Sequence, residues 1–195
     1  MFFRRPACFL LLGLGVLAGC RDREITTYRA PKDPAPAMPG PPPDMASTAV
    51  PTGSAQLTWT APAHWVAKAP GAMRKGSFAI KGGDNAEADL SITAFPGDTG
   101  GLAANINRWR GQIGLPPLAE NQVDGAVEHA DLGGHHFDLV DMTGTAAGKP
   151  TRIIGAILAR PGETWFFKLM GPDALVAGEK QAFREFLATV KTTQP

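Results

Sequence analysis

Four side chains that commonly bind metal ions lie close together in the sequence, at His129, Asp131, His136 and Asp138. Residues 133–134 are Gly-Gly, a signal for a two-residue hairpin turn, so we expect Asp131 to face His136 and His129 to face Asp138. Because side chains alternate between the two faces of a strand, the four share one face. They could bind zinc or a similar ion, or they could form two exposed His–Asp pairs. The residues alone leave both interpretations open.

The opposite face of this hairpin is apolar. Alternation places Ala130, Leu132, Phe137 and Leu139 there, and we expect them to pack against the core. Val140 extends the polar face, and nothing in the sequence supplies a second shell of residues around the histidines and aspartates. The surface-pair interpretation therefore has the simpler basis.

A second candidate lies on a predicted helix. Asn105, Arg108 and Gln112 are spaced three and four residues apart, so they form a polar strip along one side of the helix. Asn and Gln are less usual than Glu and Lys on a purely solvated helix. The strip therefore indicates a contact surface for a partner, where Arg108 or Arg110 would meet a carboxylate or phosphate. Helix capping and surface solubility are the alternative interpretation.

Enzymatic chemistry has little support in the sequence. No Gly-x-Ser-x-Gly motif is present, and serines 47, 54, 77 and 91 have no histidine and aspartate near them in the sequence. The acidic residues are scattered, without a pair that the pattern places across a cleft. We therefore expect a protein that is not an enzyme and that uses no cofactor beyond a covalent lipid.

Cysteine content and charge exclude further classes of function. The only cysteines are Cys8, inside an apolar run, and Cys20, at its end. The rest of the chain therefore has no thiol for a disulfide, a redox pair or a thiolate metal site.

The formal net charge of the whole chain is +1. A chain so close to neutral has no general field for gathering nucleic acid, and we expect no nucleic-acid binding.

The elements that must position these residues follow from hydrophobic periodicity and turn signals. The run 153–158 is apolar at every position or carries glycine, so it is expected to be a central strand covered on both faces. Helical spacing of apolar residues recurs twice, at 102–113 and at 183–190. The predicted strands are 56–60, 74–80, 88–95, 123–132, 135–142, 151–160 and 164–170, and the predicted helices are 101–113 and a segment from about 173 or 179 to 191.

This order of elements predicts an α+β fold. The economical arrangement is an antiparallel sheet of about six or seven strands with two main helices packed on it. The order resembles that of PsbP-like domains, chiefly where the strand 164–170 leads through Gly171-Pro172 into the helix that carries Phe183, Phe186 and Leu187. The resemblance implies an α/β/α sandwich and a largely non-enzymatic role in binding or assembly. It assigns no functional residues.

The N-terminus carries a different kind of signal. Arg4 and Arg5 precede a twelve-residue apolar run, 7–18, which is too short to span a membrane and fits a signal peptide. Leu17-Ala18-Gly19-Cys20 follows and resembles the lipobox of bacterial lipoprotein precursors. That resemblance implies removal of residues 1–19 and attachment of lipid to Cys20, with two or three acyl chains giving stable anchoring. A buried helix or a membrane anchor is the alternative.

Residues 20–55 are predicted to be a disordered tether. The segment is rich in proline, with Pro41-Pro42-Pro43 at its centre, and it has too little apolar surface to fold alone. Residues 56–195 then form a single predicted domain. Arg21, in place of an aspartate after the lipidated cysteine, slightly favours the outer membrane over the inner one.

Two hypotheses follow from the sequence. In the first, the chain is a lipoprotein of the cell envelope whose non-catalytic domain binds an envelope protein or a small ligand. In the alternative, it is a metal-binding or metal-dependent envelope protein that uses His129, Asp131, His136 and Asp138. In both, the protein contacts the periplasmic side of a membrane through the lipid on Cys20.

Overall fold

A computed structural model describes residues 56–69 and 71–193 of the chain. The lipobox, Cys20 and the proline-rich segment 20–55 lie outside the described residues, so the predictions made for them stand as predictions. The strands are β1 (Leu57–Thr58), β2 (Trp65–Ala67), β3 (Arg74–Lys81), β4 (Glu87–Pro96), β5 (Glu128–Leu132), β6 (His135–Ala146), β7 (Lys149–Arg160), β8 (Glu163–Pro172) and β9 (Lys191–Thr192). The helices are α1 (Gly101–Gln112), α2 (Glu120–Val123), α3 (Asp173–Gly178) and α4 (Lys180–Ala188).

Seven strands form one antiparallel sheet in the order β2-β3-β4-β8-β7-β6-β5. The run 153–158 lies in β7, between β8 and β6. Its side chains alternate between two apolar clusters, with Ile154 in one and Ile153 in the other. The predicted α+β fold, with a sheet of six or seven strands and helices packed on it, is confirmed.

One surface of the sheet, which we call the α4 face, is covered by α3, α4 and the N-terminal segment that carries Leu57. The α4 helix buries Phe183, Phe186 and Leu187, and the side chains of all three are almost completely inaccessible. The Phe186 ring lies 5.2 Å from Trp65 and 6.1 Å from Phe167, measured between centroids. Aromatic rings at such distances contribute packing energy beyond the apolar area that they bury.

The other surface, the α1 face, is covered in part by α1 and α2. Ile106, Trp109 and Ile113 are buried there, against side chains of β6, β7 and β8 that include Phe166. Trp109 packs directly over Gly155, and a Cβ added at residue 155 would lie 2.7 Å from the Trp109 Cε3 atom. Glycine in this central strand therefore lets the helix approach the sheet closely.

The 128–139 hairpin has the predicted register. Asp131 pairs with His136 and His129 pairs with Asp138. Gly133 and Gly134 form the turn with φ angles of 60° and 84°, values that glycine adopts without steric cost. The opposite side chains pack into the α4-face core, as expected: Ala130, Leu132, Phe137 and Leu139.

Three local predictions differ from the structure. The predicted strand 123–132 begins only at Glu128, because Glu120–Val123 is helical and a 3₁₀ turn, Asp124–Ala126, follows it. The main-chain N–H of Ala119 donates to the Gln122 side chain at 3.0 Å, which closes the first turn of α2. An N-terminal hydrogen bond of this kind favours helix over strand.

The C-terminal helix is also divided, at Glu179, into α3 and α4. The Glu179 carboxylate lies 2.9 Å from the His64 Nε2 atom and accepts a 2.8 Å hydrogen bond from the Trp65 indole.

The predicted strand 56–60 is shorter than expected, and β1 pairs with β9 in a separate two-stranded sheet. Among the described residues, no helix has the length and hydropathy needed to cross a membrane.

Candidate functional site

The polar face of the β5–β6 hairpin brings the four predicted metal-site residues together. His129 Nδ1 lies 2.7 Å from Asp138 Oδ1, and His136 Nδ1 lies 2.9 Å from Asp131 Oδ1. The two imidazole rings are nearly parallel, with 5.8 Å between their centroids. The hydrogen bond to Asp138 raises the pKa of His129 above its usual value, with a smaller contribution from the charge of Asp138.

Three of these side chains have the spacing of a cation site. One potential ligand atom from each of His129, His136 and Asp138 lies within 4.8 Å of the others. The Nε2 atom of His136 is 4.0 Å from Asp138 Oδ1, on the side of the ring that Asp131 does not occupy. Asp124, which the sequence did not indicate, places a carboxylate oxygen 3.6 Å from His129 Nε2.

The predicted partner-binding strip is only partly a surface. Asn105 is buried, and its side-chain amide donates to the carbonyl oxygen of Gly101 at 2.7 Å. This amide bonds to the start of α1 and is not available to a partner. Arg108 is exposed and donates to Asn105 Oδ1 at 2.8 Å. Gln112 is exposed at the other end of the helix and accepts a 2.8 Å hydrogen bond from Lys168 Nζ.

Next to Lys168 the α1 face contains an open groove. It has a volume of about 860 Å³ and lies along the ends of β7 and β8, beside the first residues of α3. This volume is within the range of about 300–1,000 Å³ typical of small-molecule sites. Its apolar lining comes from Ala146, Pro150, Met170, Pro172 and Ala174.

The charges in the groove are unequally paired. Arg74 forms a 2.9 Å ion pair with Asp89, and Arg74 also donates to the hydroxyl of the buried Ser77. The ammonium group of Lys168 donates instead to a neutral amide oxygen, that of Gln112. Burial lowers the pKa of Lys168 and the nearby charge of Arg74 lowers it further, while the charge of Asp89 offsets only part of this decrease. A partly buried cation with a neutral partner favours an additional anion nearby.

A second cavity, of about 280 Å³, lies on the α4 face between the β5–β6 hairpin and α4. Its charged rim is already neutralised, since Arg184 pairs with Glu128 at 2.7 Å and Lys180 pairs with Asp141 at 3.0 Å. The groove at Lys168 is the larger of the two. Its lysine has a neutral hydrogen-bond partner, so the groove is also the more favourable site for an anionic ligand.

No local pattern in the sequence indicates the groove. Its lining comes from segments that are far apart in the chain, between Arg74 and Ala174, and no short motif connects them. One signal was present: Lys168 interrupts the otherwise apolar segment from Trp165 to Met170. A lysine in a strand that packs on both faces is unusual, because burying an ammonium group costs free energy.

Comparisons with known proteins give a fold and no family. No family model matches the chain, and no curated protein matches it. The structure is similar to LpqN, described as involved in cell envelope biogenesis of Mycobacterium tuberculosis, with a TM-score of 0.53 and 14% identity over 73% of this chain and 86% of LpqN. At that identity the similarity shows a shared fold.

Two more distant likenesses accompany it. A protein from Bacteroides thetaiotaomicron aligns with a TM-score of 0.46 and 15% identity over 71% of this chain, which spans only 45% of that protein. Cyanobacterial PsbP (CyanoP) from Synechocystis sp. PCC 6803 aligns with a TM-score of 0.41 and 13% identity over 73% of this chain and 95% of CyanoP.

Proposed function

We propose that this chain is a lipid-anchored, non-catalytic binding protein of the bacterial cell envelope, and that its groove holds an aliphatic carboxylate. The observation that carries the proposal is the pairing of an apolar groove of about 860 Å³ with the ammonium group of Lys168. An apolar channel selects a hydrocarbon body, and a partly buried cation whose hydrogen-bond partner is neutral selects an anionic group.

The charges define the ligand further. Arg74 is already neutralised by Asp89, and Asp173 is engaged by Arg152 through a 2.7 Å ion pair. Lys149 also lines the groove but is exposed to solvent. Lys168 is partly buried and its partner Gln112 carries no charge, so it is the cation that gains most from a carboxylate.

The proposed location rests on the N-terminus. Leu17-Ala18-Gly19-Cys20 supports lipid attachment, and the proline-rich residues 20–55 support a tether between the membrane and the domain. The similarity to LpqN, whose description places that protein in envelope biogenesis, is consistent with such a location. Replacing Cys20 by serine is expected to abolish incorporation of an alkyne-labelled fatty acid into the chain. Equal labelling of the parent and the Cys20→Ser variant would contradict lipid anchoring.

The binding proposal is tested with two probes that share one hydrocarbon chain. Isothermal titration of the full chain carrying Cys20→Ser should show binding of dodecanoate, and much weaker binding of dodecyl maltoside, which has no anionic group. Lys168→Gln should weaken dodecanoate binding by about tenfold or more, since a charge-assisted contact contributes about 1.5–3 kcal/mol. Lys75→Gln, an exposed lysine outside the groove lining, is the matched control.

A pH series sharpens the same test. The ammonium group pairs with a carboxylate only while it is protonated, and the pKa of Lys168 is lowered. As pH rises, dodecanoate affinity should therefore start to decrease at a pH below the usual pKa of lysine. Lys168→Arg should keep its affinity over the same range, because a guanidinium group does not lose its proton there. Equal affinity of the parent, Lys168→Gln and Lys75→Gln would rule out the groove as the binding site.

A further inference from the structure

On the polar face of the β5–β6 hairpin, we infer a binding site for one divalent transition metal ion, formed by His129, His136 and Asp138. The site is separate from the groove, because it shares no residue with the groove lining. The proposed function and this metal site can therefore fail independently.

The distances require only side-chain movement. The three ligand atoms lie within 4.8 Å of one another, whereas ligand atoms around a tetrahedral zinc ion are about 3.3 Å apart when the Zn–N bonds are about 2.0 Å. The side chains of His129 and His136 are 45% and 61% exposed, so their rings can rotate without disturbing the core. The antiparallel register already holds the main chain of both strands in place.

Asp131, predicted from the sequence as a ligand, would instead orient one of the two histidines. Its carboxylate lies 2.9 Å from His136 Nδ1 and so accepts the Nδ1–H, which leaves Nε2 as the free lone pair. Carboxylates paired in this way fix the tautomer and orientation of metal-binding histidines. The free Nε2 of His136 faces Asp138 across 4.0 Å, which is where an ion would lie.

The third ligand is made available by loss of a proton. His129 Nδ1 and Asp138 Oδ1 now share a hydrogen at 2.7 Å. A metal ion would replace that hydrogen between the same two atoms. A doubly protonated ring would release it to solvent, and a neutral ring would transfer it through solvent to the other ring nitrogen. The other ring nitrogen of His129 would then carry a hydrogen directed towards Asp124, whose oxygen is 3.6 Å away.

The donor set selects the class of metal. Two imidazoles and one carboxylate, with no thiolate, suit Zn²⁺, Ni²⁺ or Cu²⁺. Mg²⁺ prefers an octahedral shell of oxygen ligands and would gain little from the histidines. Because the three protein ligands lie at the surface, the remaining coordination positions are open to water, and the ion should exchange readily.

Zinc titration calorimetry tests this site. The protein is the full chain without a polyhistidine tag, carrying Cys8→Ser and Cys20→Ser so that no thiol competes for the ion. We expect one zinc ion bound per chain and no heat from magnesium. His129→Ala combined with His136→Ala should abolish the zinc heat, and Asp131→Asn should weaken affinity by about 10- to 100-fold.

The matched control lies on the same hairpin. His135 is next to His136 but its ring packs near Phe137 on the opposite side of the strand, so His135→Ala should bind zinc as the parent does. An amide NMR titration should place the zinc-induced shifts around residues 124–138. The absence of stoichiometric zinc binding by the parent, or unchanged binding by the double variant, would overturn the site.

Discussion

The two faces of the sheet differ in how completely they are covered. On the α4 face, aromatic rings from three parts of the chain, including Trp65, Phe167 and Phe186, meet in one buried cluster. On the α1 face, the apolar cluster around Trp109 is smaller. The groove and the His–Asp hairpin both lie on this second face, where Lys168 and His136 alternate with core residues.

Because of this difference, we expect the α4 face to contribute mainly to folding stability and the open part of the α1 face to contribute mainly to binding. A closed apolar layer contributes most of the free energy of folding, because burial of apolar surface is the dominant favourable term. The partly covered face can then keep a desolvated lysine and exposed histidines at modest cost. Substitutions on the α4 face should therefore act on stability, and those on the open part of the α1 face should act on binding.

The largest expected effect is a stability loss on the α4 face. Phe186→Ala removes a ring that is 1% exposed and should lower the free energy of unfolding by about 3–5 kcal/mol. The same change on the α1 face, Phe95→Ala, removes a partly buried ring that packs 6.0 Å from Phe166 and should cost about 1–2 kcal/mol. Urea unfolding followed by tryptophan fluorescence measures both. Equal losses would remove the distinction between the two faces.

A smaller effect is expected where α1 meets the sheet. Gly155→Ala places a methyl group against the Trp109 ring, which must shift together with α1, and should cost about 1–3 kcal/mol. Gly111→Ala is the matched control within α1, since nothing lies within 4 Å of its added methyl group. That change should stabilise the helix by about 0.5–1 kcal/mol. A neutral Gly155→Ala would show that the α1 face is loosely packed even under its helix.

The smallest effect has the opposite sign. Lys168→Met replaces a cation whose pKa is lowered by burial with an apolar chain of similar length. It should raise the free energy of unfolding by about 0.5–2 kcal/mol while weakening dodecanoate binding. Thermal unfolding and calorimetry of the same sample measure the two effects. A destabilised Lys168→Met would indicate that the lysine supports the fold, in which case its role in ligand binding would lose its strongest argument.

Period-two patterns were sufficient to predict much of this architecture. The Gly133-Gly134 turn fixed the pairing of His129 with Asp138, because a one-residue shift would have moved every apolar side chain of the hairpin out of the core. The run in β7 gave a different signal, since apolar residues at successive positions require cover on both faces and so predict a central strand. Helical spacing likewise located α1, and it identified the buried face of α4 through Phe183 and Phe186.

Interactions between distant segments were not predictable in the same way. The burial of Asn105 depends on how its amide reaches the Thr99 and Gly101 carbonyls at the start of α1, and spacing alone placed it on a solvated strip. The groove needs β3, β4, β7, β8 and α3 to be assembled before Lys168 is seen to lie in it. Local sequence showed only that Lys168 is unusual in an apolar strand, and it did not show which segments assemble around it.

The pairing of β1 with β9 has a mechanical consequence. The carbonyl oxygen of Gln56 accepts hydrogen bonds of 2.9 Å and 2.8 Å from the main chain and hydroxyl of Thr193, so both ends of the described chain meet at one point. A pulling force applied through the segment before Gln56 would act first on the two-stranded β1–β9 sheet. The seven-stranded sheet, with its groove and its hairpin, would not bear that force until β1 separated from β9.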